Sequence, residues 1–389
     1  MLGVNDGSLR VLVDATAIPA DRGGVGRYVD DLLPALARQG VELVVACQAR
    51  DVEVMRGLVP DAAVAAGPAP IERRAARMVW EQVGLPRLAR QYRADVVHSP
   101  HYTFPLVGPA SVVTLHDATF FSHPDLHSRV KRVFFRAATR RAVRRADALV
   151  VPSRATRDAV LAAAGGDPEA FHVAYHGVDT TTFHPVADEE RRRVKARLGL
   201  TGEYVAFLGT LEPRKNVPAL VRAWARVAAA SPDPPALVLA GGRGWDKDID
   251  SAVAAVPEGL HVVRPGYLPL ADLAPFLSGA QVVAYPSLGE GFGLPVLEAM
   301  ACGAAVLTTR ELSLPEVGGE AVAYCDTDEG SIARALAQLL ADASARQRLA
   351  LAACARAAMF TWDTAAQRHV AAYRAAVRRH ASRRGGLRR

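Results

Sequence analysis

Short apolar runs alternate with helix-period stretches along this chain, in a rhythm that lapses once and restarts, and that rhythm restricts the fold more than any other feature. In the first half LRVLVDA, VELVVAC, ADVVHSP, ASVVTLHD and ADALVVPS read as buried strands, with an amphipathic helix over 27–39. Strands separated by helices pair in parallel through right-handed crossovers. Around HGVDTTTFHPVADEE the pattern dissolves into Gly, Thr, His and Pro; after a charged helix over 189–198 it resumes with EYVAFLG, PALVLAG, LHVVRPG, AQVVAYPS and GAAVLTT. The expectation is an α/β chain of two Rossmann-like domains, 1–183 and 184–360, then a helix over 361–377 packing back across the junction, and a disordered basic tail over 378–389. Ligand is expected at the carboxyl ends of the strands.

The composition, 50% hydrophobic and 22% charged over 389 residues, is that of a globular protein and excludes disordered, collagenous and disulfide-stapled classes. No run approaches the roughly 18 apolar residues of a spanning helix. The amino terminus, MLGVNDGSLR, reads as leaderless, so the expected location is the cytoplasm. Cys47, Cys302, Cys325 and Cys354 lie far apart, without C-x-x-C spacing, and read as buried free thiols.

The net charge of +7 is concentrated in two places. Eight basic residues stand against one acid between Asp125 and Arg145, and six arginines follow Val377. The remainder is therefore slightly acidic, at −6, which speaks against a nucleic-acid partner. Arg132, Arg136, Arg140 and Arg144 recur every four residues opposite Val133, Phe134, Ala137 and Val143. A solvated helix face is the plainer reading; peripheral contact with an anionic membrane, at the inner face of the plasma membrane, is the alternative.

Three motifs carry chemistry. In SLGEGFGLPVLEAMACG, 287–303, a strand ends in a glycine-rich turn, with Pro295 placed for a first helical turn and Gly303 placed to stop the helix. Amides of Phe292, Gly293 and Leu294 at that helix start suit phosphate. Glu290 and Glu298, with seven residues between them, bracket the site, and a carboxylate suits a pair of vicinal hydroxyls; for Glu298 a solvated helix face is the competing reading. GTLEPRKN, 209–216, follows the first strand of the second domain and offers Thr210, Arg214 and Lys215; the last is one of only four lysines in the chain. Such a cation pair beside phosphate stabilises its charge. In the first domain DRGGVGRY supplies Gly24 between strand and helix, and VTLHDATFF puts His116 and Asp117 at a strand end. Asp246-Lys247-Asp248 reads as helix surface, so no metal is expected.

Glu-x7-Glu within GEGFGLPVLEAMACG resembles the donor motif of retaining, nucleotide-sugar-dependent glycosyltransferases with the GT-B fold, and the likeness extends from GGVGRY to TWDTAA. Bacterial mannosyltransferase-like members are the most similar. The resemblance implies two Rossmann-like domains with a ligand cleft between them, a nucleoside-diphosphate sugar as co-substrate rather than a bound cofactor, and a saccharide, glycolipid or other small hydroxyl acceptor. It gives Glu298 the donor ribose, Glu290 and His116 the transferring sugar, Lys215 the pyrophosphate and Gly24 the diphosphate and acceptor. The family usually has Gly-Arg where this chain has Gly209-Thr210, so Arg214 stands in for the missing arginine. Asp117 orients the His116 ring or binds acceptor. GDP-mannose is the expected donor, with retention and no metal requirement. A nucleotide-sugar epimerase and a non-catalytic sugar-nucleotide-binding protein remain alternatives. A dinucleotide oxidoreductase does not, because neither domain has G-x-G-x-x-G.

Overall fold

The structure is a computed structural model describing residues 8–20 and 22–386; most of the amino-terminal stretch read above for a leader, Asp21 of the glycine turn, and Arg388 and Arg389 of the tail lie outside the described residues. The chain forms two compact units, Met1–Gly177 with Thr361–Arg389, and Val178–Phe360. The first crossing therefore comes a few residues before the expected boundary at 183/184.

Unit 1 holds seven strands, β1 (Arg10–Asp14), β2 (Glu42–Cys47), β3 (Ala63–Ala66), β4 (Val96–Ser99), β5 (Ala110–Thr114), β6 (Ala148–Val151) and β7 (Phe171–Val173), in the order β3-β2-β1-β4-β5-β6-β7. Every pairing is parallel, and most strand residues are buried, as in a sheet covered on both faces. Helix α1 (Gly23–Ala37) follows β1, α2 (Arg74–Gln91) precedes β4, and α3 (Arg129–Arg145) precedes β6.

Unit 2 holds β8 (Tyr204–Leu208), β9 (Ala236–Ala240), β10 (Val262–Gly266), β11 (Val282–Tyr285), β12 (Val306–Thr309) and β13 (Ala323–Cys325), ordered β10-β9-β8-β11-β12-β13 and again all parallel. Helix α4 (Val217–Ala228) follows β8, and α5 (Leu294–Ala301) follows β11. Pro265 is tolerated because β10 is an edge strand. Both sheets reverse direction of growth once, between β1 and β4 and between β8 and β11. Loops leaving the carboxyl ends of those strand pairs border the crevice in which doubly wound sheets bind ligand.

The last helix, α6 (Trp362–Gly386), differs from expectation. It runs nine residues past 377 and carries most of the stretch expected as a disordered tail. Its apolar face, with Trp362, Ala366, Val370 and Tyr373, joins the core of unit 1. Its basic end is held by ion pairs that no local pattern reveals: Arg379 to Asp167 at 2.7 Å, and His380 and Arg383 to Asp147 at 3.1 and 3.3 Å. Where the chain crosses between units, a Cβ on Gly177 would lie 2.2 Å from the Trp362 amide nitrogen, so that position admits only glycine.

A buried hydrogen-bond chain ties α6 to the sheet. His369 Nδ1 faces the Ala365 carbonyl at 2.7 Å, which can only accept, so Nδ1 carries the proton and Nε2 accepts from Tyr28 Oη at 2.6 Å. Thr114 Oγ1 lies 3.1 Å from Tyr28 Oη and 2.9 Å from His98 Nε2, and Tyr373 Oη lies 2.9 Å from His98 Nδ1. Donors and acceptors alternate in one direction along this chain only if both imidazoles are neutral. Burial pushes the pKa of His98 well below its usual value and that of His369 down to about 4.

Helix α3 also departs from the expected facing. Phe135, Ala138, Thr139 and Ala142 are its buried residues, whereas Val133 and Ala137, assigned to the apolar face, are exposed. The true inward stripe is offset by about one residue, because the packing of Phe135 against Phe120 and Tyr102 decides the rotation of the helix. Arg136 is engaged inward, its Nε donating to the Phe120 carbonyl at 2.7 Å.

Candidate functional site

At the switch point of unit 2 the loops after β8 and β11 meet. The first descends into a short 3₁₀ turn, Pro213–Lys215, and is anchored by backbone bonds from Gly209 N to Ala240 O at 2.9 Å and from Leu211 N to Gly242 O at 2.9 Å. The second, from 286 to 293, is pinned from β12 and the following loop. Thr309 Oγ1 donates to Ser287 O at 2.6 Å, and Ser313 Oγ lies 2.8 and 2.9 Å from the carbonyls of Glu290 and Phe292. Leu288 N donates to Arg214 O at 2.8 Å and joins the two loops directly. Gly293 has φ +105°, a left-handed conformation that releases the chain into α5, with Pro295 in the first turn of the helix.

Glu290 is the centre of this arrangement. Its Oε1 accepts from Lys215 Nζ at 2.7 Å, Ser287 Oγ at 2.7 Å and Tyr285 Oη at 3.0 Å, and its Oε2 accepts from Arg214 Nη1. Arg214 also donates to the Gly289 carbonyl at 2.8 Å and lies 3.5 Å from Glu212, while Lys215 donates to the Tyr285 hydroxyl. Burial alone would raise the pKa of Glu290, but Arg214 and Lys215 outweigh it and hold the carboxyl at about 2. Burial and the adjacent Arg214 lower the Lys215 ammonium, against the pull of Glu290. Two basic side chains and a carboxylate that is ionised at neutral pH thus share one buried spot beside a helix start. Phosphate can compete there for the same donors, and a carboxylate so loaded is a hydrogen-bond acceptor, not an acid.

Of the residues expected in the second domain, Arg214, Lys215 and Glu290 touch one another; Thr210 is half-buried in the first loop; Phe292, Gly293 and Leu294 form the entry to α5. Glu298 is buried at 1% exposure, which overturns the solvated-face reading. Tyr285, Ser287, Thr309 and Ser313 were not singled out from sequence. Tyr285 was legible as the last residue of a strand leading into the motif; Ser313 was not, because nothing local marks a serine that acts on a turn more than twenty residues earlier.

Unit 1 carries the other expected residues. Gly24 is exposed in the first turn of α1. His116 lies just past β5, its Nε2 2.6 Å from the Pro100 carbonyl and its ring 4.9 Å edge-on from Tyr28. A carbonyl cannot donate, so Nε2 carries the proton and Nδ1 is the acceptor nitrogen; burial lowers the pKa of the ring. The expectation that Asp117 orients this ring is corrected, since Asp117 Oδ1 is engaged by Thr119 N at 3.0 Å and Thr119 Oγ1 at 2.8 Å. A short carboxylate ahead of a Thr satisfies the amides of the following turn, and the Pro100 carbonyl sets the ring instead. Asp246 Oδ1 similarly accepts from Asp248 N at 3.0 Å. Among the described residues no group of three or more His, Cys, Asp and Glu is placed to hold a metal ion, and no helix is long and apolar enough to cross a membrane.

Residues 22–182 match the model for Glycosyltransferase Family 4, and residues 202–342 match the model for Glycosyl transferases group 1. The chain belongs to the group 1 glycosyltransferases. It is 28% identical to O-antigen chain mannosyltransferase B of Escherichia coli over 73% of this chain and 75% of that protein. It is 34% identical to D-inositol 3-phosphate glycosyltransferase of Mycobacterium avium over 62% of this chain, an alignment spanning only 58% of that protein. The crystal structure of Anabaena HepE in complex with UDP-glucose superposes with a TM-score of 0.74 at 19% identity, covering 92% of this chain and 97% of that one. This group 1 glycosyltransferase has the GT-B architecture, two Rossmann-like units each with a parallel sheet.

Proposed function

We propose that this glycosyltransferase moves a hexosyl group, with retention of anomeric configuration and without a metal ion, from a nucleoside-diphosphate sugar to a hydroxyl of a saccharide or lipid-linked acceptor. The observation that carries the proposal is the convergence of Arg214 and Lys215 on Glu290 at the entry to α5. As the bond from the anomeric carbon to the diphosphate breaks, negative charge grows on the leaving oxygens. Arg214, Lys215 and the turn at 290–294 stabilise that charge, the task a metal ion performs in other transferases. The acceptor oxygen bonds to the anomeric carbon on the face the diphosphate leaves, and its proton passes to a phosphate oxygen. Glu290, ionised and loaded with donors, holds sugar hydroxyls rather than forming a covalent intermediate; Glu298 holds the ribose diol. Thr210, Phe292, Gly293 and Leu294 complete the donor side, and Gly24, His116 and Asp117 serve the transferring sugar and acceptor.

GDP-mannose is the first candidate donor, supported by the similarity to a mannosyltransferase; the UDP-glucose complex of HepE makes UDP-sugars the second. An inositol phosphate is a second acceptor reading, favoured by the 34% identity to the inositol-phosphate enzyme. Nucleotide-sugar use supports work in the cytoplasm or at the inner face of the plasma membrane. Thermal stabilisation across GDP-, UDP- and dTDP-sugars identifies the donor, since a ligand bound only by the folded form raises Tm. Transfer to an added acceptor in the presence of EDTA, with the product anomer read by NMR, then tests the reaction. Donor isomerisation without transfer would instead identify an epimerase.

A further inference from the structure

The two basic segments, far apart in sequence, line a single groove in unit 1. Its volume is about 760 Å³, and its walls include Arg140, Arg141, Arg144 and Arg145 of α3 and Arg383 and Arg384 of α6, facing the loop at 104–109. The acid in the wall, Asp147, is already engaged by His380 at 3.1 Å and Arg383 at 3.3 Å. Among the described residues none of Arg140, Arg141, Arg144, Arg145 and Arg384 forms an ion pair with a carboxylate, so the groove presents a strong unbalanced positive charge.

Its rim is apolar. Leu106 and Val107 in the loop are 47% and 61% exposed, and Val130 and Val133 on α3 are 79% and 62% exposed. At 100° per residue Val130, Val133, Ala137, Arg140, Arg141, Arg144 and Arg145 fall within an arc of about 140°, opposite the buried stripe of the helix. One helix face thus carries aliphatic side chains toward its start and cations toward its end, and the loop sets Leu106 and Val107 in the same wall as those cations. Arginines alone would serve lipid phosphates or a nucleic acid equally; the exposed aliphatic groups favour a lipid surface, because they can enter its acyl boundary and would gain nothing against a polyanion in water.

We propose that this groove docks unit 1 onto an anionic bilayer, with lipid phosphates among the α3 and α6 arginines and Leu106, Val107, Val130 and Val133 at the acyl boundary. This makes the α6 arginines part of a membrane site and explains why the two basic segments are brought together. It does not depend on the donor chemistry, because binding is read without donor or acceptor.

The test is flotation of the full chain with vesicles of equal phosphatidylglycerol and phosphatidylcholine, and with phosphatidylcholine alone, at low and high salt. Binding is expected to the anionic vesicles only and to weaken with salt. The triple variant R141E/R144E/R384E is expected to lower partitioning on the order of a hundredfold, with unchanged Tm and unchanged transfer to a water-soluble acceptor. L106S/V107S/V133S is expected to lower it several-fold at unchanged charge. No binding of the native chain to anionic vesicles, or native-like binding by the triple charge variant, would overturn the proposal. So would native-like vesicle binding by the serine variant combined with capture of a short DNA duplex or inorganic phosphate in the same groove, which would make it a free-polyanion site.

Discussion

Lys215 Nζ lies 2.7 Å from Glu290 Oε1, and the two side chains are 9% and 8% exposed. They come from loops at the ends of neighbouring strands, β8 and β11, and meet at the reversal of strand order. Arg214 completes the group on the other carboxylate oxygen. Each partner is costly to bury alone, so the site is stable only as a set.

Replacing Lys215 with Ala therefore has two effects. Leaving a buried carboxylate with one fewer cation is expected to cost about 3 kcal/mol, read by urea unfolding. Transfer is expected to fall by roughly a hundredfold or more at saturating donor, because a charge-stabilising donor is lost where leaving-group charge grows. Steady-state kinetics on the folded fraction separate the two; native-like turnover would contradict the assigned role.

Glu290 predicts an acid limb of stability. Its carboxyl is held at about 2, against a usual value of 4.5. A depressed acid contributes stability that is full above 4.5 and lost as pH falls toward 2. Glu290→Gln should flatten that limb of a pH series of urea midpoints.

The neutral histidines of unit 1 act at milder pH. The pKa of His369, lowered to about 4 by burial, means that the unfolded chain binds a proton first, between 6.5 and 4. Stability from this residue is full above 6.5 and declines through that window, a loss of about 3 kcal/mol by pH 4. His98 and His176, also lowered by burial, add in the same direction. Unfolding midpoints at pH 7, 6 and 5 should fall steadily, and His369→Gln should reduce the slope by about one proton.

Ser313→Ala removes the hydroxyl that pins the carbonyls of Glu290 and Phe292. A loss of about 1 kcal/mol of stability is expected. Because the turn itself loosens, donor KM should rise several-fold with a smaller change in kcat. An unchanged KM would show that the turn holds its shape without this bond.

Gly177→Ala forces a Cβ to 2.2 Å from the Trp362 amide nitrogen. Backbone on backbone cannot yield as a side chain does, so a loss of about 2 kcal/mol or more is expected in thermal or urea melts. A native-like Tm would mean that the two crossing segments can separate without cost.

Much of the candidate site was legible because it is written locally. The glycine turn, Glu290, Glu298 and the Arg214-Lys215 pair each lie within a short motif at a strand end, and apolar strands of a parallel sheet are readable without partners. The ring-orienting role for Asp117 was misread because its Oδ1 meets the amide of Thr119, a local bond that competes with contact to the ring. Glu298 was ambiguous because a helix of eight residues, Leu294–Ala301, has too little periodicity to show which face is covered.

Taken by itself, the sequence determined two parallel sheets, ten of the thirteen described strands and the motifs that end them, since buried strand runs and glycine turns are encoded within a few consecutive residues; the strand order and the short strands β3, β7 and β13 needed the fold. Only the tertiary structure decided that Ser313 braces the donor turn, that α6 extends through Gly386 on ion pairs to Asp147 and Asp167, and that the basic face of α3 meets the end of α6 in one groove. Those relationships join residues distant in sequence, and whether two charged faces meet depends on where packed helices rotate and end, which is set by the whole core rather than by either segment.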